Sequence, residues 1–198
     1  MEIFINDTKA DITLEDEKNI EDILKGIETE CEKIDATIIG VSIDGTEIDA
    51  EELTKRFSDS IDDIKTLSIT TICKEDIVFY FKNINENLTD LEKNLTEIPV
   101  LLQSGKESQA ANIVKIFAEC FDNFCKAVTL SSLFADYFEN TKEKAQKISE
   151  FLSDFAPILT DFENAFKDKD TVLIGDLSEY EIAPRITQMK EFCEDFIK

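Results

Sequence analysis

The side chains that most often carry out chemistry in proteins are missing from this sequence or scattered along it. The chain has no histidine, which is the commonest general base and metal ligand and the usual activator of serine and cysteine nucleophiles. Its five cysteines form no C-x-x-C pair, the spacing that zinc and redox sites favour. We therefore expect no catalytic residue, and we expect reduced, structural thiols at Cys31, Cys73, Cys120, Cys125 and Cys193.

Carboxylates are the abundant group with catalytic potential, since Asp and Glu total 44. The clusters at residues 15–17 and 62–63 and the pair Glu179 and Glu181 could hold a divalent cation, or do acid–base work, if they met in a cleft. This supports one alternative function, a carboxylate-based enzyme that depends on a divalent metal. With so many acids, such clusters arise by chance, and we expect neither a metal site nor enzymatic activity.

The glycines build no nucleotide-binding loop. They match neither the phosphate-binding nor the dinucleotide-binding pattern, so we expect no cofactor. Residues 44–52 are faintly similar to a calcium-binding loop, but Gly40 and Ser42 stand where the first two oxygen ligands should be. Because Asp44-Gly45 is one of the strongest hairpin signals in a sequence, we expect a turn there.

The formal net charge of −23 restricts the partners of the chain. Lys and Arg total 21 and form no basic stripe, so nucleic acids and anionic membrane surfaces should repel it. No apolar run approaches the roughly 20 residues of a membrane span, and the N-terminal residues lack the pattern of a signal peptide; we expect a cytoplasmic protein. The acidity fits solubility alone, a basic protein partner or, as a third function, mimicry of a nucleic acid.

The elements that must position any site change character once, near residues 73–77. Before this point apolar and polar residues alternate, as in half-buried strands, around one amphipathic helix. The predicted elements are, in order, strands over residues 1–5 and 10–14, a helix from Asn19, strands over 37–43 and 46–48, a short helical stretch at 51–57 and a strand over 64–72.

This order of elements over residues 1–74 resembles the ubiquitin-like β-grasp fold. The resemblance implies a parallel pairing of the first and last strands. Members that are conjugated to other proteins or carry sulfur end in Gly-Gly, whereas this module continues through Ile72-Cys73-Lys74 into a helix. The role that the resemblance leaves is the docking role of other β-grasp modules.

From Ile77 the apolar residues follow a heptad spacing, which predicts long packed helices. The first helix should run from about Glu75 to Gln103, about 43 Å at 1.5 Å per residue, with a kink at Pro99. The residues of its seam are Ile77, Phe81, Ile84, Leu88, Leu91, Leu95, Ile98 and Leu102.

Three further helices follow, with turns that we place from polar residues and caps. The second helix should end at Asn140, which with Glu143 has the pattern of a helix-start cap, or at the competing break Ser131-Ser132. The third should end near residues 167–170, and the last should start at Thr171 and be kinked by Pro184. We assign the aromatic residues of these seams to the core: Phe81, Phe117, Phe121, Phe124, Phe155 and Phe162.

Together these patterns predict an α+β protein, with a ubiquitin-like β-grasp domain at residues 1–74 and an all-α antiparallel bundle of about four long helices at residues 75–198. In its acidity, its Phe-rich seams and its Lys-Asp turn at residues 167–170, the helical half resembles, by analogy alone, the bundles of flagellin-export chaperones. We transfer no site residue from that family.

Our leading hypothesis is a non-enzymatic, cytoplasmic protein-interaction module, an adaptor or a chaperone-like protein. It would bind a protein partner through the bundle, the β-grasp surface or both, and the long helices could also pair with a second copy. Strict alternation places Phe4 on the sheet face away from the helix, and Val78, Phe79 and Tyr80 add apolar surface beyond the first heptad seam. These four residues are our candidates for partner binding or for a contact between two stiffly joined domains.

Overall fold

The computed structural model describes residues 1–14, 17–138 and 141–197. It divides into two compact units, Met1–Asp76 and Ile77–Lys198. A mixed sheet forms the first unit and long helices form the second, so the predicted α+β class is confirmed. No helix in the described part of the chain has the length and apolarity needed to cross a membrane.

The first unit is a five-stranded sheet with the strand order β2-β1-β5-β3-β4. The first and last strands pair in parallel, with Ile3 opposite Leu67, as the sequence resemblance implied. The elements are β1 Glu2–Ile5, β2 Thr8–Lys9, α1 Ile20–Glu32, β3 Ala36–Ile43, β4 Thr46–Ile48, α2 Ala50–Arg56, a 3₁₀ turn Ile61–Asp63 and β5 Thr66–Cys73.

Helix α1 covers one face of this sheet because its apolar residues lie on a single stripe. The side chain of Asn19 caps the helix by accepting a hydrogen bond from the backbone N–H of Asp22 at 2.9 Å. The residues that α1 buries pack with Ile3, Leu67 and Ile69 of the sheet in one core. They are Ile20, Ile23, Leu24, Ile27 and Cys31.

The second strand does not lie where alternation predicted it, because residues 10–14 form no strand and β2 is Thr8–Lys9. Only Thr8 and Lys9 pair with β1, and the backbone N–H of Ala10 then bonds to the carbonyl of Ile3 at 2.9 Å. β1 has only four residues. A second strand that reached residue 14 would extend past the end of β1 and have no strand to pair with. Of the acidic cluster at residues 15–17, Glu15 and Asp16 lie outside the described residues.

The turn between β3 and β4 forms at Asp44-Gly45 as predicted, with φ of 50° at Asp44 and 81° at Gly45. Oδ1 of Asp44 accepts hydrogen bonds from the backbone N–H groups of Thr66 at 2.8 Å and Lys65 at 2.9 Å. These bonds, with that of Thr66 the stronger influence, hold the pKa of the Asp44 carboxyl below its usual range. The turn is therefore tied to the start of β5 by an ionised carboxylate.

We expect Asp44→Asn to remove part of the pH dependence of the stability of this unit. Since the pKa is lowered by folding, the carboxylate stabilises the fold above its unfolded pKa of about 3.9, and this contribution is lost as pH falls through the lower folded pKa. Urea unfolding, followed by the amide NMR signal of Thr66, should give a lower free energy of unfolding for the variant than for the parent chain at pH 7. The two values should become equal near pH 2. Parallel pH profiles would contradict this.

The second unit is built from long helices that pack antiparallel. The ring of Phe81 near the start of one stacks on Phe196 near the chain end at 4.3 Å, and Glu92 accepts hydrogen bonds from Thr187 at 2.8 Å and Lys190 at 3.1 Å. The elements are α3 Lys74–Gln103, α4 Glu107–Ser131, a 3₁₀ turn Ser132–Phe134, α5 Thr141–Asp168, α6 Thr171–Asp176, a π-helical segment Leu177–Ile182 and α7 Ala183–Ile197.

Helix α4 ends at the competing break, Ser131-Ser132, and not near Asn140. The hydroxyls of these serines donate to the carbonyls of Val128 at 2.7 Å and Thr129 at 2.6 Å, which offers the last turn an alternative to helical bonding. Helix α5 starts at Thr141, while the predicted cap residue Asn140 lies outside the described residues.

The predicted last helix is interrupted by the π-helical segment before Pro184. A proline at this position has no N–H to donate to the carbonyl four residues earlier. Ala183, the residue before the proline, donates its backbone N–H to the carbonyl of Ser178, five residues back, which is the π-helical pattern. The buried hydroxyl of Ser178 donates to the carbonyl of Gly175 at 2.8 Å. The carbonyls of Gly175 and Ser178 therefore both accept hydrogen bonds from within the same helix.

Candidate functional site

Phe4 lies on the sheet face opposite Ile3, as strict alternation requires, and its side chain is half-buried. Strand pairing places it in a row of residues that crosses the whole sheet. In order from edge to edge the row is Lys9, Phe4, Ser68, Ser42 and Glu47. Phe4 is therefore the one aromatic residue of a polar row that a cationic and an anionic side chain close at the two edges.

The other three sequence candidates lie at the start of the helical unit. Val78 is half-buried, whereas Phe79 and Tyr80 are 59% and 44% exposed. Of these, Tyr80 lines a groove between α3 and α4, with an open volume of about 410 Å³. The structure thus brings Tyr80 together with partners that the sequence analysis did not select.

We call this first groove the amide groove. Asn83 and Asn87 lie on its α3 wall and Asn123 on its α4 wall, and all three are exposed. Its other lining residues are Tyr80, Ile84, Lys126, Ala127 and Leu130. Among the lining residues the only ionic side chain is Lys126, whose ammonium group pairs with Asp122 at 2.7 Å. The groove is therefore nearly neutral within a strongly acidic chain.

A second groove, between α4 and α5, has an open volume of about 320 Å³ and an almost wholly apolar lining. We call it the phenylalanine groove. Phe117 and Phe162 form its buried floor, while Phe121 and Phe166 are half-buried. The remaining lining residues are Val114, Ala118, Leu159 and Glu163. In this part of the bundle a heptad seam is left open to solvent.

This open seam corrects one prediction, because Phe121 was assigned to the core. Its ring contacts Phe155 edge-on at 5.6 Å and Phe117 at 6.1 Å, but its remaining surface faces the groove. The heptad spacing correctly placed Phe121 on the packing face of α4. It did not reveal that the facing wall of α5 stands far enough away to leave a cleft.

The amide groove was missed by sequence reasoning, although a signal for it exists. Tyr80, Asn83 and Asn87 follow one another at steps of three and four residues, which puts them on one stripe of α3. This polar stripe runs beside the apolar seam and could have been read as a separate face. Asn123 could not have been joined to it, because α4 approaches α3 only in the folded bundle.

Two cysteines of the helical unit, Cys120 and Cys193, are buried, while Cys125 is half-buried. Burial raises the pKa of Cys120 to about 11 and, together with the nearby Cys120 and Glu194, raises the pKa of Cys193 to about 12. Such thiols stay protonated at neutral pH and are poor nucleophiles. In the part of the chain that the structure describes, no three Cys, Asp or Glu side chains come together as metal ligands.

Comparison with known proteins matches both units to families. A family model described as the TP0873 N-terminal domain matches residues 1–73. A model described as a domain of unknown function, DUF8042, matches residues 80–192. A Treponema pallidum (strain Nichols) protein described as uncharacterized is 29% identical over 191 residues, which cover 96% of this chain and 95% of that protein. No solved structure matches the chain.

Proposed function

The chain belongs to the DUF8042 family, and from the open apolar seam in the helical unit we propose that it is a non-enzymatic cytoplasmic interaction module, an adaptor or chaperone-like protein. The phenylalanine groove binds an amphipathic helix of a basic protein partner. The observation that carries this proposal is the lining of the groove, where heptad-seam residues of α4 and α5 remain partly exposed.

The dimensions of the groove suit a helix of about two turns. Val114 to Phe121 on α4 and Leu159 to Phe166 on α5 each span seven residue steps, about 11 Å of helix. A partner helix can place three apolar side chains, at positions i, i+4 and i+7, along this length. Burying such side chains against phenylalanine rings gives about 1.5–3 kcal/mol for each one that leaves water completely.

The charge of the chain supports a basic partner. With a net charge of −23, it attracts a helix whose polar face carries lysine and arginine. Glu163 lines the groove and pairs with Lys167 at 2.7 Å, but both side chains are exposed, and such surface pairs are weak. A cationic partner can therefore compete for this carboxylate.

We propose a docking role for the first unit as well, as a ubiquitin-like β-grasp domain. The strand order, the parallel pairing of β1 with β5 and the packing of α1 on one sheet face support this proposal. We assign docking to the opposite face, with Phe4 in its polar row.

A synthetic amphipathic helix tests the groove. We expect a 20-residue peptide, with leucines along one face and lysines elsewhere, to bind the full chain, and we expect Ala118→Glu to weaken binding about tenfold, or 1.4 kcal/mol. Ala118 is exposed in the groove, so the variant places a carboxylate where the leucines pack. Fluorescence anisotropy with a labelled peptide measures the affinity.

Ile116→Glu is the matched control. Ile116 is exposed on α4, two residues from Ala118, and does not line the groove. This variant therefore adds the same charge outside the groove. Attraction by charge alone would strengthen binding to both variants equally. The proposal fails if the two variants bind alike, or if a shuffled peptide of the same composition binds as tightly as the amphipathic one.

A further inference from the structure

The amide groove offers hydrogen-bonding groups that the protein itself does not use. Asn83, Asn87 and Asn123 make no side-chain hydrogen bond to another residue within the described ranges. Each primary amide carries two N–H donors and a carbonyl acceptor. Beneath them, Ile84 and Ala127 form a buried apolar floor. The groove therefore suits a ligand that is itself built of amide groups on an apolar frame.

The spacing of these amides matches an extended polypeptide. Asn83 and Asn87 are four residues apart on α3, about 6.0 Å along the helix axis. In an extended chain, peptide groups that point the same way recur every second residue, about 6.7 Å apart. Each asparagine can thus meet one of two successive outward-facing peptide groups, while Asn123 meets the chain from the opposite wall.

We propose that the amide groove binds an extended, lysine- or arginine-bearing segment of a protein partner through its backbone. A helix fits less well, because its peptide groups already bond to one another. The exposed carboxylates of Glu86 and Asp90 on α3 lie along the groove-forming helix and favour cationic side chains. Tyr80 provides an exposed ring on which an aliphatic stem or a cation can rest.

This site goes beyond the phenylalanine groove and rests on different residues. Lys126 does not oppose a cationic segment strongly, because its charge is offset by Asp122. Recognition through the backbone makes binding tolerant of sequence, since every residue of the bound segment offers the same N–H and C=O groups. The groove would therefore accept many unfolded basic segments, each with modest affinity.

The test uses the full chain, labelled with ¹⁵N, and a twelve-residue peptide of alternating threonine and lysine. We expect saturable shifts of the side-chain NH₂ signals of Asn83, Asn87 and Asn123. Methylating the backbone nitrogens of all threonines or of all lysines keeps the charge of the peptide and removes donors, and at least one of these peptides should bind at least tenfold more weakly. The double variant Asn83→Ala with Asn87→Ala should also lose about tenfold in affinity, because it removes both amides of the α3 wall that bond to the peptide backbone.

Asn112→Ala is the control, because Asn112 is exposed on α4 outside the groove, and it should bind the peptide as the parent chain does. Ala118→Glu should also leave this binding unchanged, so a failure of the first groove is distinguishable from a failure of this one. The proposal is overturned if millimolar peptide causes no saturable shift of the three amides, if both methylated peptides bind as tightly as the parent, or if the double variant matches Asn112→Ala. Shifts of these amides that grow with protein concentration alone would assign the groove to a second copy and also overturn it.

Discussion

Replacing Phe155 with alanine is expected to destabilise the helical unit by about 3–5 kcal/mol. Phe155 is completely buried, and its ring lies 5.4 Å from Phe151, 5.6 Å from Phe121 and 6.2 Å from Phe117. The guanidinium of Arg185 stacks over the same ring at 5.5 Å. Alanine would leave a cavity at the point where α4, α5 and α7 meet, and it would remove all of these ring contacts at once.

Urea unfolding followed by far-ultraviolet circular dichroism measures this loss, because the long helices dominate the signal. The midpoint should fall by about 2 M, taking a slope of about 2 kcal/mol per M. Phe79→Ala is the control, since Phe79 is 59% exposed and its removal should change stability by no more than about 0.5 kcal/mol. Equal midpoints for the two variants would show that the aromatic cluster does not hold the bundle together.

Gly175→Leu is expected to destabilise the helical unit by about 2–3 kcal/mol. A Cβ atom at Gly175 would lie 3.2 Å from Cβ and 3.3 Å from Cγ of Pro99, which is tighter than most such contacts, and the rest of a leucine side chain needs still more room. The ring of proline is rigid and Pro99 lies inside α3, so the helices must move apart. Leucine is a good helix former, so the clash and not helix propensity would account for the loss.

The same substitution at Gly26 is expected to raise stability and not to lower it. Gly26 lies in α1, and a Cβ atom there would meet nothing within 4 Å, so Gly26→Leu should stabilise its own unit by about 0.5–1 kcal/mol. Calorimetry of thermal unfolding measures both changes. A second variant, Pro99→Gly, removes both contacting atoms of Pro99 and should lessen the cost of Gly175→Leu; an unchanged cost would show that the contact with Pro99 is not its cause.

The features that the sequence predicted best are those governed by neighbours along the chain. The Asp44-Gly45 turn follows from local backbone preferences, and the buried stripe of α1 follows from helical period. The strand predicted over residues 10–14 was wrong because its extent depended on the length of β1, which alternation does not encode. The end of α4 lay between two locally plausible breaks, and the serine hydroxyls at Ser131-Ser132 decided it.

The grooves depend on distances between helices, and this limited their prediction. Of the residues chosen from the sequence, Tyr80 lies in a groove, while Phe4 lies half-buried on the sheet face opposite α1 and Phe79 is exposed on α3. Phe121 shows the limit most clearly, because its heptad position fixes the face of α4 that it occupies. That position carries no information on whether α5 covers it.

The π-helical segment was missed, although the spacing of its buried residues points to it. Ile174, Ser178, Ile182 and Ile186 are all buried and follow one another at steps of four. In an α-helix each such step drifts around the axis by about 40°, so three steps would carry the row away from the core. The wider turns of residues 177–182 cancel this drift.

This cancellation has an evolutionary consequence. One codon added to the gene within an α-helix turns all later residues by about 100°, which would bring the buried face of α7 to the surface. A π-helical turn absorbs such an addition locally, because the surplus residue widens the turn and leaves the later residues in phase. Leu177–Ile182 is thus the place in this helix where the gene can change length by one codon while Met189, Cys193 and Phe196 stay in the core.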